Sequence, residues 1–504
     1  MPKKQCDMSL FNRTFHPDEA NQAFTTGRLL ETGTYRYDPS DHHGPTLYYA
    51  AAVLQKAAGN NSTAALDGTV LRCTPLLFAV LALVLLFTSV RKILHKSKFG
   101  WRVPAILLTA LVATSPVFAF FATDFIQEML LACFTMAMLW AATGYAFSLP
   151  SAGSGTQKIK PGSWALLFGI SAGLAFATKE TSVLTFAAMF FPVVAVCLHC
   201  RPQTHLVLAF AGFTLTATLF YSSFAQNWQG VYNAFIAAPL SYVYRATGNA
   251  ASEGAAYHVH PWWQYLKWLF GGNAAFAVYS AIGISLGLYT LNKDRNQNTI
   301  PIPLKAALTA ILGSALSLTA IYSGIPYKTP WCALQMHIPL LIAAFLGLLA
   351  FSRCGTAGRI VFLALSAILL CENMHLTTKM WRDPDSKGIP YNYASASPQV
   401  KEMAKLIESI ASTNTPTHKP ANFIAIALPS EDTWPLPFYL RKLNANVGYW
   451  TQFEELEALA GLKRNPDIVV VPAEEGHRVQ PLFPHLKNTK RFEMRHRVRV
   501  RVFW

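Results

Sequence analysis

Three polar stretches in an otherwise apolar chain carry the residue types that could do chemistry. The first, NRTFHPDEANQAF (12–24), sets Asp18 beside Glu19. The second, YRYDPSDHHGPTLYYAAAVL (35–54), holds Arg36, Asp41, His42 and His43 ahead of a Tyr-rich amphipathic run suited to the interface plane. In the third, FFATDFIQEML, Asp124 is wedged between two apolar segments with Glu128 one turn on. Ionisable groups at membrane depth are costly and usually functional, which singles out these residues together with Lys179 and Lys328, each in a short turn between apolar runs. Each also has a plainer reading. Asp18 and Glu19 suit the first turn of an interfacial helix, where the dipole favours acid; Asp124 could cap a helix over 125–147; Lys179 could snorkel to the interface; and Lys328 could owe its place to a Pro-flanked turn. Asp41, His42 and His43 could hold a divalent metal, although adjacent histidines in a strand point to opposite faces, so the metal stays open.

The elements that must position these groups are set by composition. With 52% hydrophobic and 13% charged residues over 504 positions, and a mean hydropathy of +0.27, the chain reads as a polytopic α-helical membrane protein. Ten segments approach the roughly 20 apolar residues a spanning helix needs: 68–90, 103–123, 125–147, 163–178, 181–199, 206–224, 272–291, 304–325, 332–351 and 359–376. Alternate loops are basic, beginning with RKILHKSKFGWR (91–102), and the positive-inside rule makes these cytoplasmic. Asp124, TKE (178–180), the 225–271 loop, IPYKTPWC (325–332) and both termini are then external. An external start predicts a further spanning helix ahead of residue 1; the alternative is that inserting 68–90 drags a short tail outward. The net charge of +16 is scattered through short loops and the tail, without the basic stripe and interleaved aromatics of a nucleic-acid binder. Eight cysteines fall mostly in apolar segments, and CLHC (197–200), lacking a second pair, reads as a helix end.

After 376 the character changes, so three domains are expected: a first external loop over 1–67, a helical membrane domain over 68–376 and an α/β extracytoplasmic domain over 377–504. Val400, Met403, Leu406, Ile407 and Ile410 make the apolar stripe of a helix over 397–412. The runs NFIAIALP and DIVVVP suit buried strands, and RHRVRVRVFW a half-exposed one. The aromatic cluster of DTWPLPFYLRKLNANVGYW (432–450) reads first as core; because its prolines resist regular helix and strand, the segment is also expected to be a loop holding some rings outward, with Trp434 and Tyr439 the candidates to stack on a sugar or acceptor.

The order HPDEA, YRYDP, HHGPTLYY, FATKET, YKTPW, WPLPFYLR resembles the bacterial and archaeal family of flippase-activity-associated membrane proteins. More broadly it resembles the GT-C superfamily of membrane glycosyltransferases, such as protein O-mannosyltransferases and aminoarabinose transferases. The resemblance covers most of the chain; it departs at the N-terminus, where the family would have a helix before HPDEA. It implies inverting transfer of a sugar from a polyprenyl-phosphate donor to a glycan, lipid or protein acceptor, outside a bacterial or archaeal cytoplasmic membrane. In that scheme Asp18 accepts the acceptor's proton, while Glu19 and Asp124 position groups around it. Lys179, Lys328, Arg36, His42 and His43 stabilise the departing phosphate. No general acid is needed, since the leaving group is a phosphate. Competing readings are an accessory protein in the translocation of lipid-linked sugars, and a transporter. A transporter would show midplane charges and inverted repeats, which the sequence lacks.

Overall fold

A computed structural model describes residues 12–39, 43–94, 100–148, 159–189, 203–246, 258–294, 301–383, 391, 395–412, 421–443, 446–495 and 497–504. Asp41, His42, the CLHC stretch and the last part of the expected 181–199 span lie outside them. The chain forms two compact units. One comprises Met1–Glu31, Gln55–Leu71 and Asn392–Trp504; the other comprises Thr32–Leu54 and Arg72–Tyr391.

Among the described residues, seven helices are long and apolar enough to cross a membrane: Gly68–Leu94, Glu128–Ser148, Gln203–Tyr221, Ala274–Lys293, Leu304–Gly324, Pro330–Phe351 and Thr356–Arg382. Arg102–Thr114 and Pro161–Phe176 are apolar but shorter. Two expected spans are redrawn. The 103–123 segment breaks at Ser115, which is extended, because Pro116 has no N–H to continue the ladder and instead opens a separate helix, Pro116–Phe121. The 125–147 helix starts only at Glu128, after a turn in which Asp124 O accepts from Ile126 N at 2.7 Å, so Asp124 is not its cap. The segment Pro330–Phe351 is the best packed, with 89% of its apolar window buried against Ala274–Lys293, Ile302–Gly324 and Thr356–Arg382. Gln203–Tyr221, by contrast, is 17% buried and presents Phe210 and Leu215 outward, a surface suited to lipid.

Small residues set how closely these helices approach. A Cβ on Gly169 would lie 1.9 Å from the Ala209 carbonyl oxygen of the facing helix, whereas one on Gly313 would meet nothing within 4 Å. Gly169→Leu is therefore expected to lower stability by about 1–3 kcal/mol, while Gly313→Leu changes little. Thermal unfolding in detergent reads both, and equal melting temperatures would contradict this packing.

The smaller unit holds a five-stranded mixed sheet, β1 (Phe423–Ala427), β2 (Asn446–Trp450), β3 (Ile468–Pro472), β4 (Thr489–Arg495) and β5 (Val498–Phe503), in the order β2-β1-β3-β5-β4. β1 pairs in parallel with β2 and β3, while β5 runs antiparallel to β3 and β4. One face buries Ile424, Ile426, Ile468, Val470, Val500 and Val502 under Val400, Met403 and Ile407 of helix Gln399–Ser412. The other face buries Val469, Val471 and Phe503 under Leu456, Val479 and Phe483. The 432–450 stretch is not a loop: Ser430–Thr433 and Leu436–Leu440 are short helices and Asn446–Trp450 is β2. Its prolines sit at positions just before or within a first turn, where the missing N–H would be unpaired anyway.

Candidate active site

The adjacent carboxylates part company in the structure. Helix Pro17–Thr32 starts with Pro17, so His16 is its cap position and Asp18 and Glu19 lie in its first turn. Glu19 is wholly buried; it accepts from His16 N at 3.0 Å and pairs with buried Arg13 at 3.6 Å. That is the reciprocal half of a capping box, with a charge partner added. Asp18 remains 45% exposed, its carboxylate 3.7 Å from the His16 ring. The Asp18 backbone N–H donates to His16 Nδ1 at 3.1 Å, which holds the imidazole beside the helix start. In the same unit Phe15 stacks on Phe438 with centroids 4.4 Å apart, and its N–H donates to Tyr439 Oη at 2.9 Å. Trp434 stands edge-on to Phe24 at 5.6 Å. Trp434 and Tyr439 are thus half-buried against the opening segment, between the core and the outward readings of this cluster.

The larger unit gathers the other candidates. Gly44 lies flat on the Ala177 carbonyl, where a Cβ would come within 2.3 Å. Thr46 N donates to that same oxygen at 3.2 Å, and Thr46 and Thr178 share a hydroxyl contact at 2.7 Å. This fastens HHGPT to FATKE, and places His43 Nδ1 2.9 Å from Glu180, whose other oxygen accepts from Tyr37 Oη at 2.6 Å. Burial would raise the Glu180 pKa, but His43 and the Tyr37 hydroxyl outweigh it and hold the carboxyl below its ordinary value. Arg36, between buried Tyr35 and Tyr37, points outward and is exposed.

Lys179 and Lys328 are both buried. The Lys179 ammonium is paired with Glu128, and Glu128 also accepts from the Gln335 amide at 3.3 Å. Burial alone would lower the Lys179 pKa; Glu128 reverses this and raises it. Lys328 differs: its ammonium donates to the Ile325 carbonyl and sits 5.8 Å from the Tyr265 ring, with no carboxylate partner among the described residues. Burial lowers its pKa. Its backbone is pinned by Lys328 N donating to His258 O at 2.8 Å. Asp124 is buried in the turn ahead of Glu128. Sequence reasoning missed the anchoring roles of Gln335, Glu180 and Arg13. Gln335 carried a signal, being an amide within the apolar run ALQMHIPLL. Among the described residues no three His, Cys, Asp or Glu side chains group as a metal site.

No protein-family model and no curated sequence matches the chain. Solved structures do. The chain is similar to ArnT from Cupriavidus metallidurans bound to undecaprenyl phosphate, with a TM-score of 0.61 and 15% identity over 99% of this chain and 95% of that one. It is also similar to the oligosaccharyltransferase AglB from Archaeoglobus fulgidus, in complex with an inhibitory peptide and a dolichol-phosphate. There the TM-score is 0.55 and the identity 14%, over 92% of this chain and 66% of that one. Identity at this level speaks to the fold. The chain shares the fold of these two structures, and it is a multi-pass membrane protein.

Proposed function

We propose that this protein is a GT-C glycosyltransferase that moves a sugar from a polyprenyl-phosphate donor to an extracytoplasmic acceptor with inversion at the anomeric carbon. The observation that carries the reading is Lys328, a buried cation that no carboxylate balances among the described residues. An uncompensated buried charge is expensive, and the phosphate of a lipid donor is the anion that would relieve it. The two structural neighbours described above were solved with undecaprenyl phosphate and with a dolichol-phosphate, which supports the same donor class.

In this reading the acceptor's hydroxyl oxygen attacks the anomeric carbon while Asp18 takes its proton. The bond from that carbon to the phosphate oxygen breaks, and the negative charge gathered there is met by Lys328, with Lys179, Arg36 and His43 as further cations. Lys179 contributes least, because Glu128 already cancels its charge. Glu19 acts by holding Arg13 and the helix start, and Asp124 shapes the turn before Glu128. Trp434 and Tyr439 offer the uncovered parts of their rings to the acceptor. In this reading the site faces the extracytoplasmic side of a bacterial or archaeal cytoplasmic membrane, an orientation the alternating basic loops support.

Donor binding tests the reading without knowledge of the sugar. Polyprenyl phosphate should raise the melting temperature of the detergent-solubilised protein, since a ligand that binds only the folded state stabilises it. Lys328→Met should itself be at least as stable as the parent, and lose the ligand-induced shift. A full shift in Lys328→Met would remove Lys328 from the donor site.

A further inference from the structure

The chain reverses at the end of helix Gln203–Tyr221. Ser223, Phe224 and Ala225 all take left-handed backbone, with φ of 50°, 56° and 69°, a conformation costly for residues other than glycine. The reversal is secured by Asn227 N donating to Ser222 O at 2.7 Å and by Ser223 Oγ accepting from Tyr35 N at 2.9 Å. Beyond it Trp228–Tyr232, a π turn over Asn233–Ala237 and Ala238–Ala246 run on as one helix. That helix folds back along the spanning one. A Cβ on Gly230 would lie 2.2 Å from the Tyr221 carbonyl oxygen, and the Phe235 ring reaches those of Phe176, at 5.1 Å, and Phe213, at 6.5 Å. Phe213 lies roughly 12 Å down the helix from Tyr221.

The burial of this returning helix is inverted. Small residues face the protein, namely Gly230, Ala234 and Ala238, while Phe224, Trp228, Tyr232, Ile236, Leu240 and Val243 are each 46–69% exposed. The wider π turn keeps the four-residue spacing from Trp228 to Leu240 in line. In water so long an apolar stripe would be an aggregation hazard. The two side-chain amides of the helix are already spent: Gln229 donates to Asn233 Oδ1 at 2.9 Å, and Asn233 to Tyr37 O at 3.0 Å. Between Arg201 and Arg245 the sequence has no Asp, Glu, Lys or Arg.

We propose that the 228–246 helix inserts into the lipid bilayer beside Gln203–Tyr221, from the Tyr221 end, and presents the stripe from Phe224 to Val243 to acyl chains. Two observations favour lipid over a protein partner. The stripe continues the face of Gln203–Tyr221 that exposes Phe210, Leu215 and Leu219, joined to it where Phe220 meets Phe224 with centroids 5.6 Å apart. It also lacks the polar rim of a protein interface. Trp228 and Tyr232, nearest the reversal, suit headgroup depth, and Ile236, Leu240 and Val243 suit the hydrocarbon. The first part of the expected 225–271 loop then belongs to the membrane domain. The inference is independent of sugar transfer.

The test uses the full chain in phosphatidylcholine nanodiscs, with native cysteines replaced and one nitroxide label at a time on a cysteine at Trp228, Tyr232, Ile236, Leu240 or Val243. Collision with oxygen, which concentrates in lipid, should exceed collision with a water-soluble nickel chelate at Ile236, Leu240 and Val243. The excess should grow from Trp228 to Leu240. Where a label prevents folding, the unlabelled cysteine at that position should resist a membrane-impermeant maleimide in the disc and react once the protein is unfolded in SDS. Dominant nickel collision along the stripe would place it in water, and weak collision with both reagents would place it under protein. Either result overturns the proposal, as does full maleimide reaction at Leu240 in the intact disc.

Discussion

Asp18→Asn is expected to cut sugar transfer about 10²–10⁴-fold, the usual worth of a general base, with polyprenyl-phosphate binding and melting temperature unchanged. The side chain is half-exposed, so Asn replaces it in size without leaving a cavity, and the fold loses nothing it relies on. Glu19→Gln should behave in the opposite way. Glu19 is wholly buried against Arg13 and closes the helix start, so its loss strips a charge partner and appears as instability before it appears in turnover. Turnover and melting temperature measured on both variants separate the two carboxylates. Near-normal turnover in Asp18→Asn would take Asp18 out of the mechanism, and a stable Glu19→Gln would show that the capping contact is weak.

Glu128→Gln should destabilise the larger unit by about 3–5 kcal/mol, because it strands the Lys179 ammonium in a buried site. The pair is fully buried on the Glu128 side and nearly so at Lys179. Removing both charges, as Glu128→Leu with Lys179→Met, should recover most of that loss, since a buried ion pair replaced by apolar side chains is often neutral or better. The pH dependence follows from the direction of the shift. A lysine whose folded pKa is raised contributes stability that is fully present below its ordinary value and is lost only as pH rises through the raised one. The parent should therefore owe no loss of stability to this pair across the neutral range. Glu180 has the reverse sign: its depressed pKa contributes stability above the ordinary carboxylate value, lost as pH falls through the folded one. Thermal melts of Glu128→Gln, Lys179→Met and the double variant check the pair, and melts of the parent and Glu180→Gln as pH falls check Glu180; additive losses in the double variant would show that no pair exists.

Much of this was legible in the residues, and the failures have physical causes. Long apolar runs predict spanning helices well because lipid leaves the backbone no alternative. The break at Ser115–Pro116 was visible as a proline within the run, yet total hydropathy masked it. In the small domain β1, β3 and β5 were readable from their apolar or alternating patterns. β2 and β4 were not: NVGYW holds a glycine and TKRFEMR has charge on both faces, and each lies at an edge of the sheet, where only one side is paired. Asp18 and Glu19 looked equivalent as neighbours. Their different fates depend on Arg13 and on the start of a helix at Pro17, and only the folded chain decides which carboxylate is covered. Lys179 and Lys328 likewise looked alike, until Glu128 and Gln335 proved to belong to one of them alone.

The most direct test of the central claim is donor turnover by the purified chain in liposomes, supplied with a panel of polyprenyl-phosphate-linked hexoses and pentoses and a membrane extract as the acceptor source. The account predicts that at least one donor is consumed with release of free polyprenyl phosphate, and that Asp18→Asn abolishes the release. Binding of polyprenyl phosphate with no donor consumed from any member of the panel would contradict it, and would assign the protein a non-catalytic part in handling lipid-linked sugars.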